Sequence, residues 1–216
     1  MEVLIMIGSP KNKGNSESIA NYLFDKFNHK NLSCSKIYLR SEIDKKEGLL
    51  ERINNSDIIV ITFPVYENSV PGLLLEAFEY LCQNKGGLSD KPRKLLFISN
   101  SGFPEPKANR CAIDCCRLFT ETTGLKYMGG FGVSPGTLVE GKKLEDAGGS
   151  YKKLVKVLDI ISESIYNSKE IPEETYELLS KPLMLPFIYR FAGKIIRNRS
   201  AKKIGKEKYY ARPLMK

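Results

Sequence analysis

Ile5-Met6-Ile7-Gly8-Ser9-Pro10-Lys11-Asn12-Lys13-Gly14-Asn15-Ser16 joins an apolar run to a helical pattern through a glycine-bounded loop rich in hydroxyl and amide side chains. Upstream, Val3 to Ile7 is continuously apolar, the pattern of a strand buried on both faces of a parallel sheet. Downstream, Ile19, Ala20, Leu23, Phe24 and Phe27 recur at helical spacing, with Asn15 or Ser16 as the expected N-cap. A loop that feeds a helix N-terminus in this way presents backbone N–H groups to an anion such as phosphate. It is neither of two commoner phosphate loops. Five residues separate Gly8 from Gly14, Asn15-Ser16 follows where a Walker A loop has Lys-Ser/Thr, and GxGxxG is absent. Ser9, Pro10, Lys11, Asn15 and Ser16 are therefore candidate phosphate-binding residues, although an ordinary βα turn with an N-cap would use the same residue types.

Two later segments repeat the arrangement. Asp57 to Phe63 is a second buried-type strand and empties into Pro64-Val65-Tyr66-Glu67-Asn68-Ser69-Val70-Pro71-Gly72 before the helical run Leu73 to Leu81. Lys94 to Ser99 is a third, followed by Asn100-Ser101-Gly102-Phe103-Pro104-Glu105-Pro106 and a helix running to about Thr123. In an open α/β sheet such loops lie along the carboxyl edge, where ligands bind, so the three are expected to converge on one crevice. Tyr66 and Phe103 supply flat apolar faces, while Asn68 and the Ser101-Gly102 backbone offer hydrogen bonds to a polar ring edge. Tyr66 packing beneath its loop, or Phe103 anchoring its turn, would explain the same residues without a ligand.

Gly8-Ser9-Pro10-Lys11 with Gly14-Asn15-Ser16, Pro64-Val65-Tyr66 with Pro71-Gly72, and Ser101-Gly102-Phe103 together resemble the flavodoxin-like NAD(P)H-dependent FMN reductase and quinone reductase superfamily. The resemblance covers roughly the first three quarters of the chain, about one doubly wound domain. It implies FMN as cofactor, with the first loop around the phosphate, the second (Pro64, Val65, Tyr66, Asn68) lining the isoalloxazine ring and the third (Ser101, Gly102, Phe103) at the ring's other edge. NAD(P)H would pass hydride to flavin N5, and a quinone, flavin, nitro compound or similar small-molecule acceptor would then take the electrons. No catalytic acid–base pair is required, because the flavin carries the chemistry. The resemblance also implies a homodimer. An electron carrier without a nicotinamide site, and a noncatalytic membrane- or partner-binding protein on the same fold, are the alternatives.

The expected elements are strands 2–7, 33–39, 57–63, 93–99 and 125–133, alternating with helices 15–29, 47–55, 72–84, 107–123 and 149–167. This alternation predicts an α/β doubly wound, five-stranded parallel sheet, for which the flavodoxin-like order is 2-1-3-4-5. The fifth strand is dense in glycine (Gly129, Gly130, Gly132) and leads on to Gly136, a sign of close approach by a backbone or ligand, or of an irregular strand end. The polar loop through Glu140-Gly141-Lys142-Lys143 follows it.

With 216 residues, 42% hydrophobic and 27% charged, the chain falls in the globular range. It carries neither a secretory signal pattern nor an apolar run of membrane-spanning length, so a cytoplasmic protein is expected, peripheral to a membrane if its basic tail meets one. Cys34 and Cys82 sit in apolar contexts, and Cys111, Cys115 and Cys116 share a predicted helix without a CxxC pair or nearby histidine. Packing roles are expected for them, with no metal or cluster site. The lone histidine, His29, is expected to cap the end of the first helix rather than to catalyse.

The excess charge is confined to one end. Residues 181–216 hold eleven Lys/Arg and one acid, a net of +10, while the rest of the chain nets −1. Two regions are therefore expected: an FMN-binding domain over 1–170 and a basic amphipathic extension over 171–216. In the latter, Phe187, Ile188, Phe191, Ala192, Ile195 and Ile196 recur at helical spacing opposite Arg190, Lys194 and Arg197. Such a helix can lie on an anionic membrane, bind an acidic partner, or cover its own core or a second subunit. No nucleic-acid-binding module is present, so specific nucleic-acid recognition is not expected.

Overall fold

Strands β1 (Glu2–Ile7), β2 (Ser33–Tyr38), β3 (Ile58–Pro64), β4 (Lys94–Asn100) and β5 (Lys126–Val133) pair in the order β2-β1-β3-β4-β5 in the computed structural model, which describes residues 1–136, 143–144 and 149–204. All four pairings are parallel. One row of the register runs Lys36, Ile5, Val60, Leu96, Gly129. The fold is flavodoxin-like, as the alternation of apolar strands and helices predicts.

Period-two alternation in strands apolar on both faces creates two cores. Val3, Ile5, Ile7, Val60 and Ile98 face α1 (Asn15–His29) and α6 (Lys152–Tyr166). Leu4, Met6, Ile59, Ile61, Phe63 and Phe97 face the other side. There, a short α2 (Leu39–Glu42) and α3 (Lys46–Asn55) precede α4 (Gly72–Gln83) and α5 (Arg110–Thr123). Aromatic stacking knits the second core: Phe78 lies parallel to Phe119 at 3.9 Å between centroids and meets Phe97 edge-on at 6.3 Å.

Several boundaries differ from expectation. Gly14, not Asn15 or Ser16, is the N-cap of α1. A 3₁₀ turn over Pro106–Asn109 delays the start of α5 to Arg110. Helix α7 (Glu173–Ser180), absent from the expected elements, forms because tertiary contacts hold it. Its Tyr176 stacks on Phe131 at 4.5 Å, and Ile171, Leu179 and Leu183 are buried in the first core. Met1–Leu183 consequently forms one compact unit and Met184–Lys216 a second, so residues 171–183, assigned to the extension from sequence, pack with the sheet domain. The second unit contains α8 (Pro186–Ile204). The expected loop through residues 140–142 and the tail beyond residue 204 lie outside the described residues.

The five cysteines are free. Cys116 is fully buried in the second core, and Cys115 packs against that core. Burial holds the Cys34 thiol up at about 12 and also raises those of Cys82, Cys115 and Cys116, keeping them protonated. Cys111 is exposed. Among the described residues, no group of three or more His, Cys, Asp or Glu could hold a metal ion.

Phe78→Ala is expected to cost about 3–5 kcal/mol of unfolding free energy, because it removes the ring shared by both aromatic contacts. Denaturant titration of wild type and variant checks this. Native-state alkylation followed by peptide mass spectrometry is expected to label Cys111 first and Cys116 last.

Candidate functional site

At the carboxyl edge of the sheet, the ends of β1, β3 and β4 release three loops into a crevice of about 540 Å³, within the usual range for small-molecule sites. Ser9, Lys11, Asn15 and Ser16 line it from the first loop, Pro64, Val65 and Tyr66 from the second, and Ser101, Gly102 and Phe103 from the third. Pro10 and Asn68, the other two candidates, are exposed and do not line it. Lys13, Gly14, Glu67 and Asn100 do, and were not singled out from sequence.

The first loop is braced from within. Gly8 N–H donates to Thr62 O at 2.8 Å, tying the loop to β3. The Ser9 hydroxyl accepts from Lys11 N–H at 3.2 Å and sits 3.3 Å from Lys11 O, so it shapes the loop as well as lining the crevice. Glu17, in the first turn of α1, would repel an anion. Its two carboxylate oxygens are committed elsewhere, to Lys13 N–H at 2.7 Å and to Tyr38 O–H at 2.9 Å. Lys11 and Lys13 then outnumber the one lining carboxylate, Glu67.

Asn100 couples the loops. Its side chain is buried, and its Nδ2 donates to Phe63 O at 3.0 Å and to Ser16 Oγ at 2.8 Å. Phe63 O can only accept, so the amide group must face this way. Ser16 Oγ therefore accepts a hydrogen bond from Asn100 and keeps its own O–H to donate. The Asn100 backbone carbonyl accepts from Val65 N–H at 2.8 Å, joining the second and third loops. A polar residue ending an otherwise apolar strand was the sequence signal for Asn100.

In the second loop, Tyr66 and Ser69 exchange backbone hydrogen bonds of 3.1 and 2.9 Å around Glu67 and Asn68, which have φ of 48° and 62°. This is a two-residue turn with both central residues left-handed, and it carries the Asn68 side chain to the tip. Tyr66 is 49% exposed and Phe103 57%, unusual for aromatic residues that line a cavity. These faces are open to a flat ligand.

A buried polar cluster sets the third loop. Asn109 Oδ1 accepts from Ser99 Oγ at 2.9 Å, and its Nδ2 donates to Ser134 Oγ at 2.8 Å and to Ser101 Oγ at 3.4 Å. Ser101 and Ser134 hydroxyls lie 2.8 Å apart. Ser101 N–H donates to Val133 O at 3.0 Å, and Ser101 O accepts from Gly136 N–H at 2.8 Å. The glycines of β5 make room for this side of the site. A Cβ on Gly132 would lie 2.6 Å from Asn109 Cβ, and one on Gly130 only 2.5 Å from Ile113 Cγ2. The approach expected from a backbone or ligand is made at these glycines by side chains instead: Asn109 of the neighbouring turn, Ile113 of α5 and Tyr127 of β5 itself.

A flavodoxin-like sheet whose β1, β3 and β4 loops form one crevice defines a class of flavin-binding domain. The chain's first 103 residues match the family described as NADPH-dependent FMN reductase, a span that includes all three loops up to Phe103. Over that span the chain is similar to that family, and its sheet order is that of the flavodoxin-like fold. Among solved structures, the apo form of an NADH:FMN oxidoreductase (EMOB) is similar at 16% identity and a TM-score of 0.61, over 81% of this chain and 93% of that one. An FMN-dependent NADH-azoreductase from Bacillus anthracis str. Ames Ancestor, in complex with FMN, is similar at 13% identity and a TM-score of 0.54, over 75% and 100%. A flavone reductase is similar at 15% identity and a TM-score of 0.54, over 96% and 92%. At these identities the structural likeness concerns the fold.

Asn109→Ala is expected to lower unfolding free energy by about 1–3 kcal/mol by leaving the Ser99, Ser101 and Ser134 hydroxyls without their shared partner. It is also expected to speed amide hydrogen exchange at Gly102 and Phe103 more than in β1. Residue-resolved exchange measurements check this.

Proposed function

We propose that the crevice binds FMN with its phosphate at the Ser9–Ser16 loop and its ring system against the second and third loops, and that the chain uses NADH or NADPH to reduce a small-molecule acceptor such as a quinone, flavin or nitro compound. The observation that carries this reading is the Ser16 hydroxyl, held with its proton available at the N-terminus of α1 in the same crevice as two exposed aromatic faces. FMN, when bound, supplies the hydride acceptance and onward electron transfer. The donor set suits it: a helix N-terminus, hydroxyls and two lysines for a phosphate, and apolar and π surface for a ring.

The chain's own residues bind and orient. Ser16 donates to a phosphate oxygen, and the exposed Lys11 and Lys13 add charge at the loop rim. Val65, Tyr66 and Phe103 offer apolar surface to a planar ring, while Gly102, without a side chain, lets that ring approach the backbone. Asn100 is a positioning residue, acting through Ser16 and the β3 end. We take the working form to be a cytoplasmic homodimer, which the family resemblance supports.

Purified protein is expected to show an FMN absorption spectrum that NADPH or NADH bleaches anaerobically within turnover time. Bound FMN that neither nucleotide reduces would point to an electron carrier, and colourless protein that takes up no added FMN would refute both readings. Ser16→Ala and Asn100→Ala are each expected to weaken FMN binding about tenfold, the loss of one effective hydrogen bond. The double variant is expected to be little worse than either single one, because the two residues act as a unit. Fluorescence titration with FMN measures all four affinities.

A further inference from the structure

Four large apolar side chains of helix α8 are exposed to water. Phe187 is 68% exposed and Phe191 67%, and Leu185, Ile188 and Ile195 are exposed as well. At 3.6 residues per turn, Phe187, Phe191, Ile195 and Ile188 fall within an arc of about 100°. Arg190, Lys194 and Arg197, all exposed, fall within an adjoining arc of about 60°. Residues 184–204 contain six Lys/Arg and no Asp or Glu. Asn198 and then Lys202 enter the apolar arc, so the amphipathic pattern belongs to the first three turns. No described helix is long and apolar enough to cross a membrane.

We propose that α8 is a surface-lying helix that docks on an anionic lipid bilayer, inserting Phe187, Ile188, Phe191 and Ile195 between headgroups while Arg190, Lys194 and Arg197 pair with lipid phosphates. Charge complementarity selects this occupant. A second copy of the helix laid on the same face would bring two unbalanced basic rims together, an unfavourable pairing. Four apolar side chains over three turns also fall short of the ~800 Å² that a stable protein interface takes from each partner. A bilayer needs no such patch, because its surface potential attracts every basic residue near it and apolar insertion adds to that attraction. Four further Lys/Arg in residues 205–216 lie on the same segment in sequence.

The test is flotation of the full-length protein with vesicles of phosphatidylcholine alone or mixed with phosphatidylglycerol. Wild type is expected to float with the anionic vesicles at low salt, to be released by 0.5 M salt at roughly the strength that compresses the Debye length severalfold, and not to float with phosphatidylcholine alone. Each basic residue near such a surface is worth about fivefold, so Arg190→Ala/Lys194→Ala/Arg197→Ala is expected to lose on the order of a hundredfold in vesicle affinity. Phe187→Ser/Phe191→Ser is expected to lose at least about tenfold, while Phe187→Leu/Phe191→Leu retains binding. Absence of wild-type flotation with anionic vesicles at low salt overturns the proposal. So does wild-type affinity in the Phe→Ser variant, or loss of binding in the Phe→Leu variant. Light scattering showing that Phe187→Ser/Phe191→Ser turns an oligomer into a monomer would assign the face to a second copy instead. FMN binding is measured in parallel, so failure here is distinguishable from failure of the flavin-site reading.

Discussion

The carboxamide of Asn100 is the constraint on which the crevice depends. Its two N–H groups reach Phe63 O on β3 and Ser16 Oγ on α1, and its backbone carbonyl holds Val65 N–H of the second loop. A buried amide so nearly satisfied is stiff, since rotating it would strand donors away from water. The geometry of three loops from three strands is therefore referred to one residue at the end of β4. The Asn109 cluster does the same for the third loop from the α5 side. Both asparagines meet glycines on this side of the sheet, Asn109 at Gly132 of β5 and Asn100 at Gly136, three residues past the strand. The glycine-rich strand is thus the complement of the polar network rather than a separate feature.

The molecule uses two kinds of electrostatics in two places. The sheet domain carries almost no net charge, and the proposed phosphate end of its crevice draws mainly on oriented dipoles: a helix N-terminus and a hydroxyl aligned by its neighbour. Such interactions are local and weakly screened because the groups are partly buried. The C-terminal segment instead carries a net +10 over residues 181–216, spread over exposed side chains. That field is long-ranged and salt-sensitive, suited to an extended surface rather than a single phosphate.

The sheet order was legible because each strand is apolar on both faces and each is followed by a helical period, which leaves few topologies. Ten of the twelve candidate site residues line the crevice because loops that follow parallel strands must lie at the same edge. Asn68 was misplaced by a left-handed turn that its short loop allowed but did not announce. Asn109 was hidden by distance: it sits ten residues beyond Ser99, and its role depends on Ser134, 25 residues further on. Helix α7 was missed because eight residues carry too little periodicity and its stability comes from Tyr176 on Phe131.

By itself, the sequence determined the parallel α/β architecture, the strand-end loops and the charged tail, because hydrophobic period, glycine placement and charge are local properties of the chain. Only the tertiary structure decided which hydroxyl donates outward, which carboxylate oxygens are already engaged and which side chains the glycines admit. Those outcomes depend on hydrogen-bond partners up to 84 residues apart, as between Ser16 and Asn100, and no local pattern encodes the direction of a shared proton.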